Sequence, residues 1–183
     1  FKESTFMDLP VVAFEEIEKH YPPDNHSMFV AVSYSRVNKL RAEKYHAAKD
    51  KGYHLASYLS PHATIFDNVA LGDNCFIFED NTVQPFVKIG NNVTLWSGNH
   101  IGHHSQIGDH CFIASHVVIS GRVTVEPFCF VGVNATLRDN IVVARECIIG
   151  AGATLLKNTK EKEVYRARAA EALPVTSDKL RGI

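Results

Sequence analysis

With 183 residues, 45% hydrophobic and 21% charged, the chain has a globular composition, with room for one ordinary domain or a small one joined to a larger. Nineteen basic against twenty acidic residues leave a formal charge of −1, a poor basis for gripping nucleic acid through its phosphates. No apolar run approaches the roughly 18 residues of a bilayer span, no charged-then-apolar leader opens the chain, and four cysteines without a CxxC suggest neither a disulfide framework nor a zinc site. A cytoplasmic protein with no membrane insertion is expected.

Taken in chain order, FEEIEKHY at 14–21 predicts a short helix, stopped by the Tyr-Pro-Pro-Asp that begins at Tyr21. MFVAV at 28–32 predicts a buried strand. SRVNKLRAEKYHAAKDK at 35–51 predicts a helix ended by Gly52, and 53–59 a second strand. Helix, strand, helix, strand suggests a small α/β domain with parallel strands over residues 1–58.

From residue 59 the rhythm changes. Stepping by six from Leu59 to Leu155 meets Ile, Leu or Val at all 17 positions, against only 10 of the 80 others in the stretch. Neither a helix nor a lone strand produces that contrast; unbroken hexads mark a parallel β-helix. Gly often follows the aliphatic (Gly72, Gly90, Gly102, Gly108, Gly132, Gly150), as a corner needing small or positive-φ residues demands. Three hexads make one triangular coil, which stacks Cys75, Cys111, Cys129 and Cys147 in one column as small buried hydrophobes. Residues 59–158 thus predict a domain of five to six coils, about 25 Å tall at the spacing of paired strands. In 159–183, EKEVYRARAAEAL at 161–173 predicts a C-terminal helix stopped by Pro174, with a poorly tied tail over 175–183.

No Gly-rich phosphate loop, GxSxG or HExxH occurs. Histidine is the outlier: five of the ten crowd into one short stretch, at His100, His103, His104, His110 and His116. Inward positions are already taken by aliphatic and small residues, so most of these side chains point outward or sit at corners. They are either ordinary surface or, in a groove, candidates for a general base titrating near neutral pH.

The hexads, the IGHHSQIGDHCFIAS stretch, the IIGAGATLLKNT ending and the small α/β piece ahead of them resemble the bacterial left-handed β-helix sugar acetyltransferases, the group that includes sialic-acid O-acetyltransferase-like and nucleotide-amino-sugar N-acetyltransferases. The resemblance spans about residues 10–165. It implies an acetyl-CoA-dependent enzyme acting on a sugar, nucleotide-linked and amino, for cell-surface glycan assembly, with direct transfer and no metal. His103 falls on the family's general base. His104 takes the place of the acidic residue that usually orients that base, a departure from the pattern. Where a further family histidine sits near the substrate, this chain has Cys111 and Phe112. Coenzyme A would lie in a groove between neighbouring β-helices against Gly121, Val133 and Ala151, which implies a homotrimer. Gly121, three hexads after His103, is one coil on and is either an oxyanion donor through its amide or a plain corner glycine. Family members usually open with a Gly-rich turn that cradles a nucleotide diphosphate. None precedes Phe14: either an opening βα unit is missing from this sequence or the sugar is recognised without that loop, and the start on Phe1 favours the first.

Two other readings use the same hexads. A carbonic-anhydrase-like hydratase gathers three histidines on zinc across a subunit boundary, two of them five apart in sequence, and no two histidines here have that spacing. A non-catalytic β-helix scaffold leaves the five histidines without a purpose.

Overall fold

A computed structural model describes residues 4–179. Its larger part is a triangular solenoid whose three parallel sheets carry seven, six and five strands, each strand only two residues long. The pairing steps by one coil of three hexads: Ile101 lies beside Val83 and Ile119, and Ile113 beside Leu95 and Val131. Every sixth aliphatic from Ile77 to Leu155 points inward and is buried, joined by the small residues that enter from the corners, including all four cysteines. Fully burying each Ile or Leu stabilises the coil by about 1.5–3 kcal/mol.

The three corners repeat one backbone device. From Leu71 to Ile149 the third residue after each aliphatic is left-handed: Phe86, His104, Arg122 and Asn140 at the corner between the six- and five-stranded faces; Asn74, Asn92, His110, Phe128 and Glu146 between the five- and seven-stranded faces; Asp80, Gly98, His116, Asn134 and Gly152 between the seven- and six-stranded faces. Asn, Asp and His tolerate this region better than most residues. The glycines that directly follow the aliphatics are not left-handed. They are small because the next coil lies against them: a Cβ on Gly102 would stand 2.5 Å from the Ser120 carbonyl carbon, and one on Gly132 would stand 2.7 Å from the Ala151 nitrogen.

Ahead of the solenoid, Phe14–Glu16 forms a 3-10 turn leading into α1 (Ile17–His20), and α2 covers Lys39–Asp50. The parallel strands are present but shorter than the sequence suggests, Ser27–Met28 beside His54–Leu55. Residues 29–34 belong to no strand or helix, and Arg36, Val37 and Asn38 are left-handed, so α2 begins later than expected, at Lys39 rather than Ser35. The buried side of α2 seats on the corner between the five- and seven-stranded faces. Arg41, 2% exposed, donates to the carbonyls of Asn92, His110 and Cys111, and Asn38 donates to those of Phe128 and Cys129.

The expected C-terminal helix over 161–173 is not formed. Val164–Tyr165 instead adds a seventh strand beside Ile148–Ile149, and residues 166–173 form no helix or strand. The alternation Val164, Arg166, Arg168 against Tyr165 and Ala167 serves an edge strand and the residues just after it, whose Tyr165 and Ala167 cap the solenoid core; closing the core's open end outweighs the helix propensity of Arg and Ala. Of the predicted tail, residues 180–183 lie outside the described part.

Candidate active site

The five histidines crowded in sequence are dispersed in space by the triangular coil. His100 is on the six-stranded face, His103 and His104 at the corner that follows it, His110 at the next corner and His116 at the third. His104, His110 and His116 recur at every hexad because each occupies a left-handed slot, with φ of 60°, 62° and 57°. His110 is only 6% exposed and lies beneath α2, its ring against Tyr45, His46 and Phe128. There it ends a buried ladder: Asn74 Nδ2 donates to Asn92 Oδ1 and Asn92 Nδ2 donates to His110 Nδ1, each at 2.8 Å. Burial pulls His110 down to about 4, with the charges of His46 and Arg41 acting the same way and Asp109 opposing. It is a neutral packing residue.

His103 and His104 are exposed and meet directly, Nδ1 to Nδ1 at 3.1 Å. One nitrogen must donate and the other accept, so when His103 donates, its Nε2 carries a free lone pair. The corner is held from both neighbouring coils: the His103 amide donates to Gln84 Oε1 at 2.9 Å and its carbonyl accepts from the Arg122 amide at 2.9 Å. The His104 ring lies 4.8 Å from that of Phe86, one coil back. Among the described residues no carboxylate bonds to either imidazole. Gly121 leaves space for the His103 ring: a Cβ there would stand 2.8 Å from Nε2 and 2.9 Å from Cε1.

Val133 and Ala151 stack at a different corner, on the opposite edge of the six-stranded face, so the structure brings His103, His104 and Gly121 together but separates them from Val133 and Ala151 within one chain. The backbone N–H groups of Gly121, Val133 and Ala151 share one property: none donates to an acceptor among the described residues. Val133 and Ala151 also edge a cavity of about 610 Å³ between residues 29–34 and the seven-stranded face, walled by Tyr34, Phe76, Trp96, Phe112 and Phe130. Outward aromatics of the seven-stranded face pack beneath the α/β piece: Tyr34 lies 5.0 Å from Phe112 and 4.8 Å from Phe130. Gln84, which anchors His103, is missed by sequence reasoning. Its position one coil back at the same corner is the signal that could have found it.

Among the described residues, no three His, Cys, Asp or Glu side chains converge as a metal site, and no helix is long and apolar enough to cross a membrane.

Residues 86–121 match the family described as bacterial transferase hexapeptide (six repeats). No curated protein sequence matches the chain. Among solved structures it is similar to a mutant of perosamine N-acetyltransferase from Caulobacter crescentus in complex with CoA and GDP-perosamine, at 21% identity over 86% of this chain and 74% of that one, with a TM-score of 0.80. The acetyltransferase domain of PglB from Neisseria gonorrhoeae aligns at 19% identity over 89% and 78% of the two chains, with a TM-score of 0.81, and that domain is also seen with acetyl coenzyme A. The likeness establishes the fold, a left-handed parallel β-helix preceded by a small α/β piece.

Proposed function

We propose that this protein is an acetyl-CoA-dependent acetyltransferase acting on a nucleotide-linked amino sugar, with His103 as general base. One observation carries the reading: an exposed imidazole whose Nδ1 is engaged by His104 leaves Nε2 free beside Gly121, whose amide has no acceptor among the described residues. The perosamine enzyme, which binds CoA and GDP-perosamine, and the PglB domain, which binds acetyl-CoA, support the choice of donor and acceptor class.

The chemistry needs little else. As the sugar amine attacks the thioester carbonyl, Nε2 of His103 takes its proton. The imidazolium so formed donates through Nδ1 to the lone pair of His104 Nδ1, and the proton then passes to the departing thiolate. His104 is a positioning residue: as the acceptor of the His103 Nδ1–H it stabilises the tautomer that leaves Nε2 basic. It supplies no negative charge, unlike the carboxylate of the family pattern. The Gly121 N–H suits the tetrahedral oxyanion, and the unpaired amides of Val133 and Ala151 suit the carbonyls of the pantetheine arm. A base of this kind contributes about 10²–10⁴-fold to the rate.

Because the His103 and Ala151 corners lie on opposite edges of one face, a single site needs His103 of one copy and the Val133–Ala151 column of the next. A closed ring of three, one copy per side of the triangle, satisfies this for every site. An enzyme drawing on acetyl-CoA would work in the cytoplasm. The carbonic-anhydrase-like and scaffold readings gain no support from the dispersed histidines or from the His103–His104 pair. The test is thiol release from acetyl-CoA against a panel of nucleotide-linked amino sugars: turnover with at least one acceptor is expected, and none with any acceptor would overturn the reading.

A further inference from the structure

We infer that Arg166 and Arg168, which directly follow the edge strand that replaces the expected helix, bind the phosphates of the acyl-CoA donor, an inference that rests on the acetyltransferase reading above. The pairing of Ile148 with Val164 and Ile149 with Tyr165 places Arg166, Ala167 and Arg168 over Gly150, Ala151 and Gly152. A Cβ on Gly152 would stand 3.8 Å from that of Ala167, ordinary contact, so the residues just after the extra strand continue the Val133–Ala151 column by one coil. Arg166, Ala167, Arg168, Ala169 and Glu171 line a concavity of about 560 Å³. Both arginines are exposed, and neither forms an ion pair with a described residue. Glu171 on the rim leaves the lining with a net charge of +1.

The height of this concavity fits one part of the donor. In a ring of copies whose axis runs along the coils, equal residues lie at equal heights. Ala167 is then about three and two-thirds coils above His103, roughly 18 Å at about 4.8 Å per coil. From thioester sulfur to first phosphorus, the pantetheine arm has about thirteen bonds. At the advance of about 1.2 Å per bond seen in extended backbone, it spans roughly 16 Å. With the sulfur at His103 and the arm passing the unpaired amides of Val133 and Ala151, the diphosphate arrives at Arg166 and Arg168. Guanidinium groups suit that charge, since their planar fork meets phosphate oxygens two at a time.

The experiment titrates CoA, 3′-dephospho-CoA and pantetheine calorimetrically into the full chain and into the Arg166→Gln/Arg168→Gln double variant, with melting temperature as the folding control. Both positions are exposed, so the variant should fold. The expected result is CoA affinity lowered about tenfold for each arginine removed, with pantetheine affinity unchanged. Unchanged CoA affinity, an equal loss for CoA and pantetheine, or no CoA binding by the wild-type chain would overturn the inference. The dephospho-CoA titration tells whether the 3′-phosphate or the diphosphate is held. CoA binding with no turnover on any acceptor would count against the acetyltransferase reading alone, and the affinities would still decide the arginines.

Discussion

Gly121→Ala separates activity from stability. The added methyl would stand 2.8 Å from Nε2 and 2.9 Å from Cε1 of His103, whereas carbon contacts are comfortable at about 3.5–4.0 Å. The ring must therefore retreat by roughly 0.6–1 Å. It can do so cheaply, because His103 is exposed and a shift into solvent opens no cavity. Gly121 is also outside the left-handed region, so alanine fits its backbone and should raise stability by about 0.4–1 kcal/mol through the unfolded chain. Catalysis responds the other way: a misplacement of about 1 Å costs on the order of 10²-fold. Thiol-release kinetics should show kcat lowered by about 30- to 100-fold, with a melting temperature equal to or above wild type. The contrasting variant is Gly102→Ala, whose methyl would stand 2.5 Å from the Ser120 carbonyl carbon and 2.6 Å from the Gly121 nitrogen, backbone atoms that cannot yield without parting the coils; it should melt several degrees lower. A Gly121→Ala enzyme with wild-type kcat would refute the idea that the missing side chain seats the imidazole.

Other outcomes follow from the same structure. His110 is held at about 4 by burial against a reference of 6.5. The unfolded chain therefore binds the extra proton between those values, and this contribution is complete above about pH 6.5 and lost as pH falls toward 4. Urea denaturation should show a loss of up to about 3 kcal/mol across that window, largely absent in His110→Asn, which keeps a residue suited to the left-handed slot; equal slopes in the two chains would dismiss the buried-histidine explanation. Ile119→Ala, emptying a fully buried rung of the coil, should cost about 2–5 kcal/mol, read by the same denaturation. Light scattering should give a mass of three copies, and a monomer with full activity would refute the shared site.

The solenoid was legible because a short strand turning at every hexad leaves its inward aliphatic no freedom. The period alone fixes the faces, the core and the cysteine column. Three things were not legible. Left-handed backbone at the third corner residue made His104, His110 and His116 recur, so a density of histidines in sequence dissolved over separate corners of the coil. The burial of His110 depends on α2, whose docking through Arg41 and Asn38 is a long-range event without periodic signal. The segment 161–173 has helical composition, yet its Tyr165 and Ala167 cap the open end of the core, and tertiary packing overrode propensity. For the site, the three-hexad spacing correctly stacked His103 on Gly121 and Val133 on Ala151. Which edge of the face each pair occupies required the coil itself.

The most direct measurement is steady-state acetyl transfer by His103→Ala, on an acceptor that the wild-type chain uses. Because the side chain is exposed and its amide stays bonded to Gln84, the variant should keep its melting temperature and its ring of copies while kcat falls by about 10²–10⁴-fold. Turnover at the wild-type rate would contradict the assignment of the base.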